Sequence, residues 1–146
     1  MDEQLVTFRL GKEEFGVDIM RVQEIIKIPA ITFVPRAPRF IDGVINLRGN
    51  VIPVINLKNR FGMETTEPNN DARIIVIQVN GRTMGVMVDQ VTEVIRIPEN
   101  AIEPPPPVTI GIDVAYLRGV GKIEDRLIVL LELDTLLDKG QLLANA

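Results

Sequence analysis

The chain contains two similar segments of fifteen residues each. FGVDIMRVQEIIKIP occupies positions 15–29 and MGVMVDQVTEVIRIP occupies positions 84–98, and seven of the fifteen positions are identical. The second segment begins 69 residues after the first, and this spacing is longer than the repeat unit of solenoid proteins. The chain has 146 residues, so the repeat indicates two copies of one small unit that together form a domain of ordinary size.

Each copy begins with a predicted β-hairpin. Residues 5–10 (LVTFRL) alternate apolar and polar side chains, and a second alternating run follows Gly11 and Lys12. In the second copy, residues 73–79 (RIIVIQV) lead into Asn80 and Gly81. Asn-Gly between two β-branched runs is a strong hairpin signal, because both residues tolerate positive φ.

The similarity continues beyond the hairpins. NLRG at 46–49 aligns with YLRG at 116–119, and VIPVINL at 51–57 aligns with LIVLLEL at 127–133. Each copy therefore holds about five short strands in one order, which fits a duplicated small β-barrel or sandwich.

The predicted units cover roughly residues 5–64 and 72–138 of a single domain, 1–146. An exchange of strands between the units stays open, because a repeat gives the order of strands and not their pairing. A barrel of this size is marginal alone, whereas two packed together bury more surface and leave a groove for an elongated partner.

Short helices are predicted at 56–62, ending at Gly62, and at 134–140, with Asp134 as N-cap and Gly140 as the stop. Gly43 and Gly49 fall at a strand edge and a turn, so valine at either position is predicted to damage folding.

The composition argues against catalysis. The chain contains no His, Cys or Ser, which removes the commonest general base, the thiolate nucleophile and serine hydrolase chemistry. The segment GKEE lacks the glycine and Gly-Lys-Ser/Thr pattern of a phosphate loop. We therefore predict no enzyme activity, no cofactor and no metal.

Charge and hydropathy address nucleic acid and membranes. The net charge is −4, with no Trp, one Tyr and five Phe, so a nucleic-acid partner is not expected. No apolar run approaches the roughly 18 residues of a membrane span, and the acidic start MDEQL is unlike a targeting signal. These features predict a cytoplasmic protein with no membrane insertion.

Two segments are candidates for a protein interface. Residues 22–28 hold more apolar residues than a half-exposed strand needs, so this strand is either buried on both faces or meets a partner through one of them. Arg48 stands at the tip of a predicted turn, where it either contacts a partner or makes an internal ion pair. Its sequence counterpart Arg118 favours the structural role.

With these stretches side by side, the chain resembles the CheW family of chemotaxis coupling proteins. The resemblance runs from Leu5 to about Leu137, and GVINLRG with the order of the blocks makes it specific. The matching segments are FGVDIMRVQEI (15–25), PRAPRFIDGVINLRG (35–49), VIPVINL (51–57) and MGVMVDQV (84–91).

The resemblance implies an all-β fold of two similar SH3-like five-stranded β-barrels packed together, here with a short C-terminal helix. It also implies a non-enzymatic scaffold that couples membrane chemoreceptors to the CheA histidine kinase in signalling arrays. The receptor's cytoplasmic tip would occupy the groove between the barrels. The kinase's regulatory domain, itself CheW-like, would pair with the barrel ends.

The resemblance also implies which residues bind partners. Val22, Glu24 and Arg48 match family positions that contact receptors or kinase, and Val94 is a receptor-side candidate. Asn46, Leu47 and Gly49 flank Arg48, where they bind partners or shape the turn. The alternative function is a small-ligand-binding β-barrel, which would need a dry interior cavity; short strands rich in Val and Ile favour filled barrels instead.

Overall fold

The computed structural model describes residues 2–38, 40–64, 67–105 and 114–137. Eleven strands in these ranges form two sheets: β1 (Asp2–Leu10), β2 (Glu13–Asp18), β3 (Val22–Lys27), β4 (Ile41–Leu47), β5 (Asn50–Asn56), β6 (Arg73–Val79), β7 (Arg82–Val88), β8 (Gln90–Pro98), β9 (Ile102–Glu103), β10 (Leu117–Ile123) and β11 (Arg126–Leu131). The helices α1 (Leu57–Arg60) and α2 (Leu133–Leu136) follow β5 and β11, and single 3-10 turns lie at Ile19–Arg21, Glu99–Ala101 and Val114–Tyr116.

Each sheet combines strands from both repeats. The central sheet has the order β3-β6-β7-β5-β4 and is built from residues 22–88. The outer sheet has the order β8-β1-β2-β11-β10-β9, so it unites the first hairpin with the strands that follow β7. The two repeats therefore exchange their opening hairpins: β1–β2 completes the outer sheet, and β6–β7 completes the central one.

The two sheets are built alike. In the central sheet β5 pairs in parallel with β7, with Val54 opposite Gly85, and in the outer sheet β11 pairs in parallel with β2, with Leu130 opposite Gly16. The predicted all-β architecture of two similar SH3-like units with a short C-terminal helix is confirmed. The outer sheet has six strands rather than five because of the two-residue β9. Its counterpart in the central sheet is a single bridge between Thr32 and Val44.

Three apolar clusters hold the sheets together. Successive side chains of β6 point to opposite faces of the central sheet. Ile74 and Val76 therefore belong to one cluster, and Ile75 and Ile77 belong to another. The largest cluster, here called the shared core, joins the two sheets; its members include Val6, Phe8, Leu10, Phe15, Val17, Ile55, Ile75, Ile77, Met84, Val86, Val88, Leu131 and Leu136. Two smaller clusters lie within single sheets: Ile45, Ile52, Val54, Ile74 and Val76 in the central one, and Leu5, Ile97, Ile128 and Leu130 in the outer one.

Polar contacts also join the two halves of the molecule. Lys58 of α1 is buried and its Nζ lies 2.7 Å from Oδ2 of Asp89, which also accepts a hydrogen bond from the backbone N–H of Gly11. The guanidinium of Arg60 lies over the rings of Phe40 and Tyr116, at 5.0 and 4.8 Å from their centroids. These groups span the seam, so charge and cation–π attraction supplement the apolar contact.

The alignment of Arg48 with Arg118 is wrong in three dimensions. Arg48 and Gly49 form a two-residue hairpin turn with φ of 50° and 87°, which is the geometry of a type I′ turn. Arg118 lies within β10, and the corresponding turn falls at residues 124–125. The two segments differ because the structural offset after β3 is 76 residues, as in the match of Val54 with Leu130.

Of the two predicted helices, the second begins at a different residue from the one predicted. The predicted first helix is present in α1, where Oδ1 of Asn56 accepts a hydrogen bond from the N–H of Asn59 at 3.2 Å. Asp134 is not the N-cap of α2, because the helix begins at Leu133 and Glu132 occupies the cap without a side-chain hydrogen bond. Gly140, the predicted stop, lies outside the described residues.

Gly43 and Gly49 offer a matched test of why glycine is needed. A Cβ on Gly43 would lie 2.3 Å from the carbonyl oxygen of Thr32, whereas a Cβ on Gly49 would meet nothing within 4 Å. Gly49→Ala should therefore cost only the left-handed backbone strain, about 1 kcal/mol. Gly43→Ala should cost roughly 3 kcal/mol or more, because the Thr32–Val44 bridge must separate. Urea unfolding of both variants measures the difference, and equal losses would contradict this close packing.

Candidate partner-binding surface

An ion pair joins β3 to the β4–β5 turn. Arg48 donates two hydrogen bonds to Glu24, one from Nη1 to Oε1 at 3.1 Å and a shorter one from Nη2 to Oε2. These hydrogen bonds hold the pKa of the Glu24 carboxyl below its ordinary value. The Arg48 side chain remains 69% exposed while Glu24 is mostly covered. The pair therefore presents a fixed guanidinium to solvent, with a carboxylate beneath it.

The residues around Arg48 hold its turn in place. Oδ1 of Asn46 accepts a hydrogen bond from the N–H of Gly49 at 2.9 Å, which closes the turn from the side. Leu47 packs, half-buried, against the cluster of the central sheet. Gly49 supplies the positive φ that the second turn position requires. Each of the three residues thus has a structural reason for its identity.

The outer sheet repeats the ion pair with different residues. Glu93, the repeat counterpart of Glu24, bonds to Nη1 of Arg126, which follows the β10–β11 turn. The counterpart of Arg48 is therefore Arg126 in role, although the two are not aligned in sequence. Sequence reasoning missed this pair, and the repeated glutamate was the signal that could have revealed it.

Arg126 also belongs to a partly buried polar network. Its Nε and Nη2 donate to the Glu14 carboxylate at 3.1 and 2.6 Å, and the Thr92 hydroxyl donates to the same carboxylate at 2.8 Å. Thr7 is fully buried and bonds the Thr92 hydroxyl at 2.6 Å. Burial alone would raise the pKa of Glu14, but the hydrogen bonds from Arg126 and Thr92 outweigh it and leave the pKa below its ordinary value.

The two predicted valines lie on corresponding strands of different sheets. Val22 opens β3, opposite Ile77, and packs half-buried against the shared core. Val94 lies on β8, opposite Val6, and is 54% exposed. Ile25, the repeat counterpart of Val94, is also exposed on β3. The structure therefore brings Glu24, Arg48 and the turn residues together, with Val22 on the same strand as Glu24, while Val94 belongs to the outer sheet.

These features suit a protein interface. Arginine is enriched at contact surfaces between proteins, and here an exposed arginine is held in place by a carboxylate. Within the described ranges, no cluster of three or more carboxylates could hold a metal ion, and no helix is long and apolar enough to cross a membrane.

The two ion pairs should differ in their contribution to stability. Arg126→Met leaves the buried Glu14 carboxylate without its cation, so it should cost about 1–3 kcal/mol of unfolding free energy. Arg48→Met should leave the melting temperature close to that of the parent, because exposed ion pairs contribute little. Urea unfolding and thermal melts of the two variants test this contrast. A larger loss in Arg48→Met than in Arg126→Met would contradict it.

Acid should remove the contribution of Glu14. Its folded-state pKa lies below the ordinary glutamate value of about 4.3, so its stabilising effect is fully present above that pH. The effect is lost as the pH falls through the lower folded-state pKa. Glu14→Gln should therefore destabilise at pH 7, and its deficit should shrink on acidification. A deficit that stays constant from neutral to acidic pH would show that the charge of Glu14 is not involved.

Comparison with known proteins identifies the family of this chain. A family profile described as the CheW-like domain matches residues 4–141. The chain is 41% identical over 132 residues to the chemotaxis protein CheW of Rhizobium meliloti (strain 1021), covering 90% of this chain and 85% of that protein. It is 38% identical to the chemotaxis protein CheW of Helicobacter pylori (strain ATCC 700392 / 26695), covering 93% and 82% of the two chains.

A solved structure gives the same result. The crystal structure of the scaffolding protein TtCheW from Thermoanaerobacter tengcongensis is similar with a TM-score of 0.87 and 47% identity. The likeness covers 93% of this chain and 88% of that one.

Proposed function

Because this chain belongs to the CheW-like domain family and so has the role of a chemotaxis adaptor, we propose that it couples membrane chemoreceptors to a CheA-type histidine kinase. It does so as a non-enzymatic scaffold that joins two partners and transforms neither. The observation that carries the proposal is the likeness to a scaffolding protein over 93% of the chain. The protein acts in the cytoplasm and is recruited to membrane receptor arrays.

The receptor surface consists of Val22, Glu24, Arg48 and Val94. A helical receptor tip carries apolar stripes between polar ones, so its binding site needs an apolar contact beside charged groups. Val94 supplies exposed apolar area, and the Glu24–Arg48 pair supplies a charge that sets approach and register. Asn46, Leu47 and Gly49 act on this surface through the turn that holds Arg48.

The kinase surface lies at the barrel ends. Val51 and Leu127 are the second residues of β5 and β11, each of which follows a hairpin turn. Their side chains are 68% and 60% exposed. They occupy equivalent positions in the two sheets, because β5 and β11 correspond at an offset of 76 residues. Exposed apolar side chains at matching barrel ends suit a kinase domain of the same duplicated fold.

Val94→Asp is the sharpest test of the receptor surface. Val22→Asp would weaken receptor binding too, but Val22 packs against the shared core, so its loss would also lower the melting temperature. Val94→Asp places a charge on exposed surface that must dry out on binding. We expect at least a tenfold loss of co-sedimentation affinity for receptor-bearing membranes, with an unchanged melt. Leu127→Asp, matched in exposure, is the control that should retain receptor binding.

Three outcomes are informative in this experiment. Full receptor binding by Val94→Asp places the receptor surface elsewhere. An equal loss in Leu127→Asp means that any new surface charge interferes, and it removes the support for a specific site. A loss of kinase stimulation in Leu127→Asp with normal receptor binding supports the assignment of the barrel ends.

A charge exchange separates two roles of Arg48. In Glu24→Arg with Arg48→Glu, the ion pair can form again with reversed direction. If the pair only fixes the turn, the double variant should bind receptors as well as the parent. If the partner reads the exposed guanidinium, the double variant should stay as weak as Arg48→Glu alone, with less salt dependence than the parent. We expect the second result in sedimentation at two salt concentrations.

A further inference from the structure

A groove on the central sheet is lined, among the described residues, by none that the receptor or kinase surface uses. It encloses about 510 Å³, within the range of binding sites in proteins. Its lining is mainly apolar apart from an aspartate, an asparagine and a glutamate: Ile31, Phe33, Asp42, Asn56, Glu67, Pro68 and Met87. Phe33 is 75% exposed, and an aromatic ring so exposed beside a groove is a common anchor for a partner.

Asp42 gives this groove its chemistry. The side chain is half-buried, and Nδ2 of Asn56 donates to its two oxygens at long distances of 3.4 and 3.2 Å. Within the described ranges, no lysine or arginine forms an ion pair with it. Burial raises the pKa of Asp42, and the hydrogen bonds from Asn56 offset this only in part. The fold therefore holds a carboxylate partly out of water, and no basic side chain of the described ranges compensates its charge, which is unfavourable in an isolated protein.

The corresponding site of the outer sheet has a different arrangement. At the structural offset of 76 residues, Asp42 corresponds to Arg118 and Asn56 corresponds to Glu132. Arg118 is satisfied inside the protein, since its Nη2 donates to Oε1 of Glu3 at 2.5 Å. One of two equivalent positions thus has an intramolecular partner of opposite charge, whereas the other faces an open groove and has no such partner among the described residues.

We propose that this groove binds a protein segment that presents an arginine or lysine side chain beside an apolar one. The cation would pair with the Asp42 carboxylate, and the apolar side chain would lie against Phe33, Ile31 and Met87. Among the described residues of the lining none is basic, which supports a cationic occupant because two carboxylates, Asp42 and Glu67, face the groove. The proposal does not depend on the receptor or kinase assignments, since none of their residues lines the groove.

The test uses a defined peptide on the full chain. A blocked peptide of sequence Gly-Leu-Arg-Leu-Gly is titrated into the isotope-labelled protein, in parallel with an analogue that has glutamine in place of arginine. We expect amide shifts at Phe33, Asp42 and Asn56, and about tenfold tighter binding of the arginine peptide, as one charge-assisted hydrogen bond provides. Asp42→Asn should abolish this preference, while Phe33→Ala should weaken both peptides.

The control is Asp71→Asn, which removes an equal charge from an exposed turn and should keep the preference for arginine. Thermal melts confirm that each variant is folded. Equal binding of the two peptides, a preference that survives in Asp42→Asn, shifts confined to other surfaces, or no shifts at all would each overturn the proposal.

Discussion

The structure depends on burying one apolar layer between two sheets. Each sheet contains the opening hairpin of one repeat and later strands of the other. Val6, Phe8 and Phe15 from the first hairpin meet Ile75, Ile77 and Val86 from the second hairpin in the shared core. Neither hairpin could remain in water, because each carries apolar side chains on both faces. Joining the sheets buries more apolar surface than two separate units of this size would, and that gain offsets the entropy of ordering the chain.

The exchange of hairpins also determines where the surfaces lie. Strands β3 and β8, each the first strand after its repeat's hairpin, become edges of different sheets. Their repeated glutamates, Glu24 and Glu93, each pair with an arginine of their own sheet, Arg48 within a hairpin turn and Arg126 directly after one. One pair is exposed, whereas the other is tied to the buried Glu14. Duplication thus produced two equivalent sites, and different substitutions gave them different environments.

Much of the fold follows from local signals in the sequence. Alternation and turn residues predicted the hairpins at Gly11 and Gly81, because strand and turn signals act over a few neighbouring residues. The internal repeat predicted two units of similar structure. Strand pairing could not be predicted, because β1 pairs with β8 although about 80 residues of chain separate the two strands. The alignment of Arg48 with Arg118 failed for a related reason: two residues within the same LRG string occupy a turn in one case and a strand in the other. Of the candidate site, only groups within one hairpin followed from sequence, and the partners of Glu14 and Asp42 depend on tertiary contacts.

The exchanged topology has a consequence for synthesis on the ribosome. The first hairpin is made long before its parallel partner β11, which spans Arg126–Leu131. The central sheet needs only residues 22–88, so it can close while the remainder is still being made. Throughout that interval Val6, Phe8 and Phe15 lack the side chains that β11 and α2 contribute to the shared core. The apolar face of the first hairpin therefore stays exposed until β11 has been made, and slower elongation prolongs that exposure.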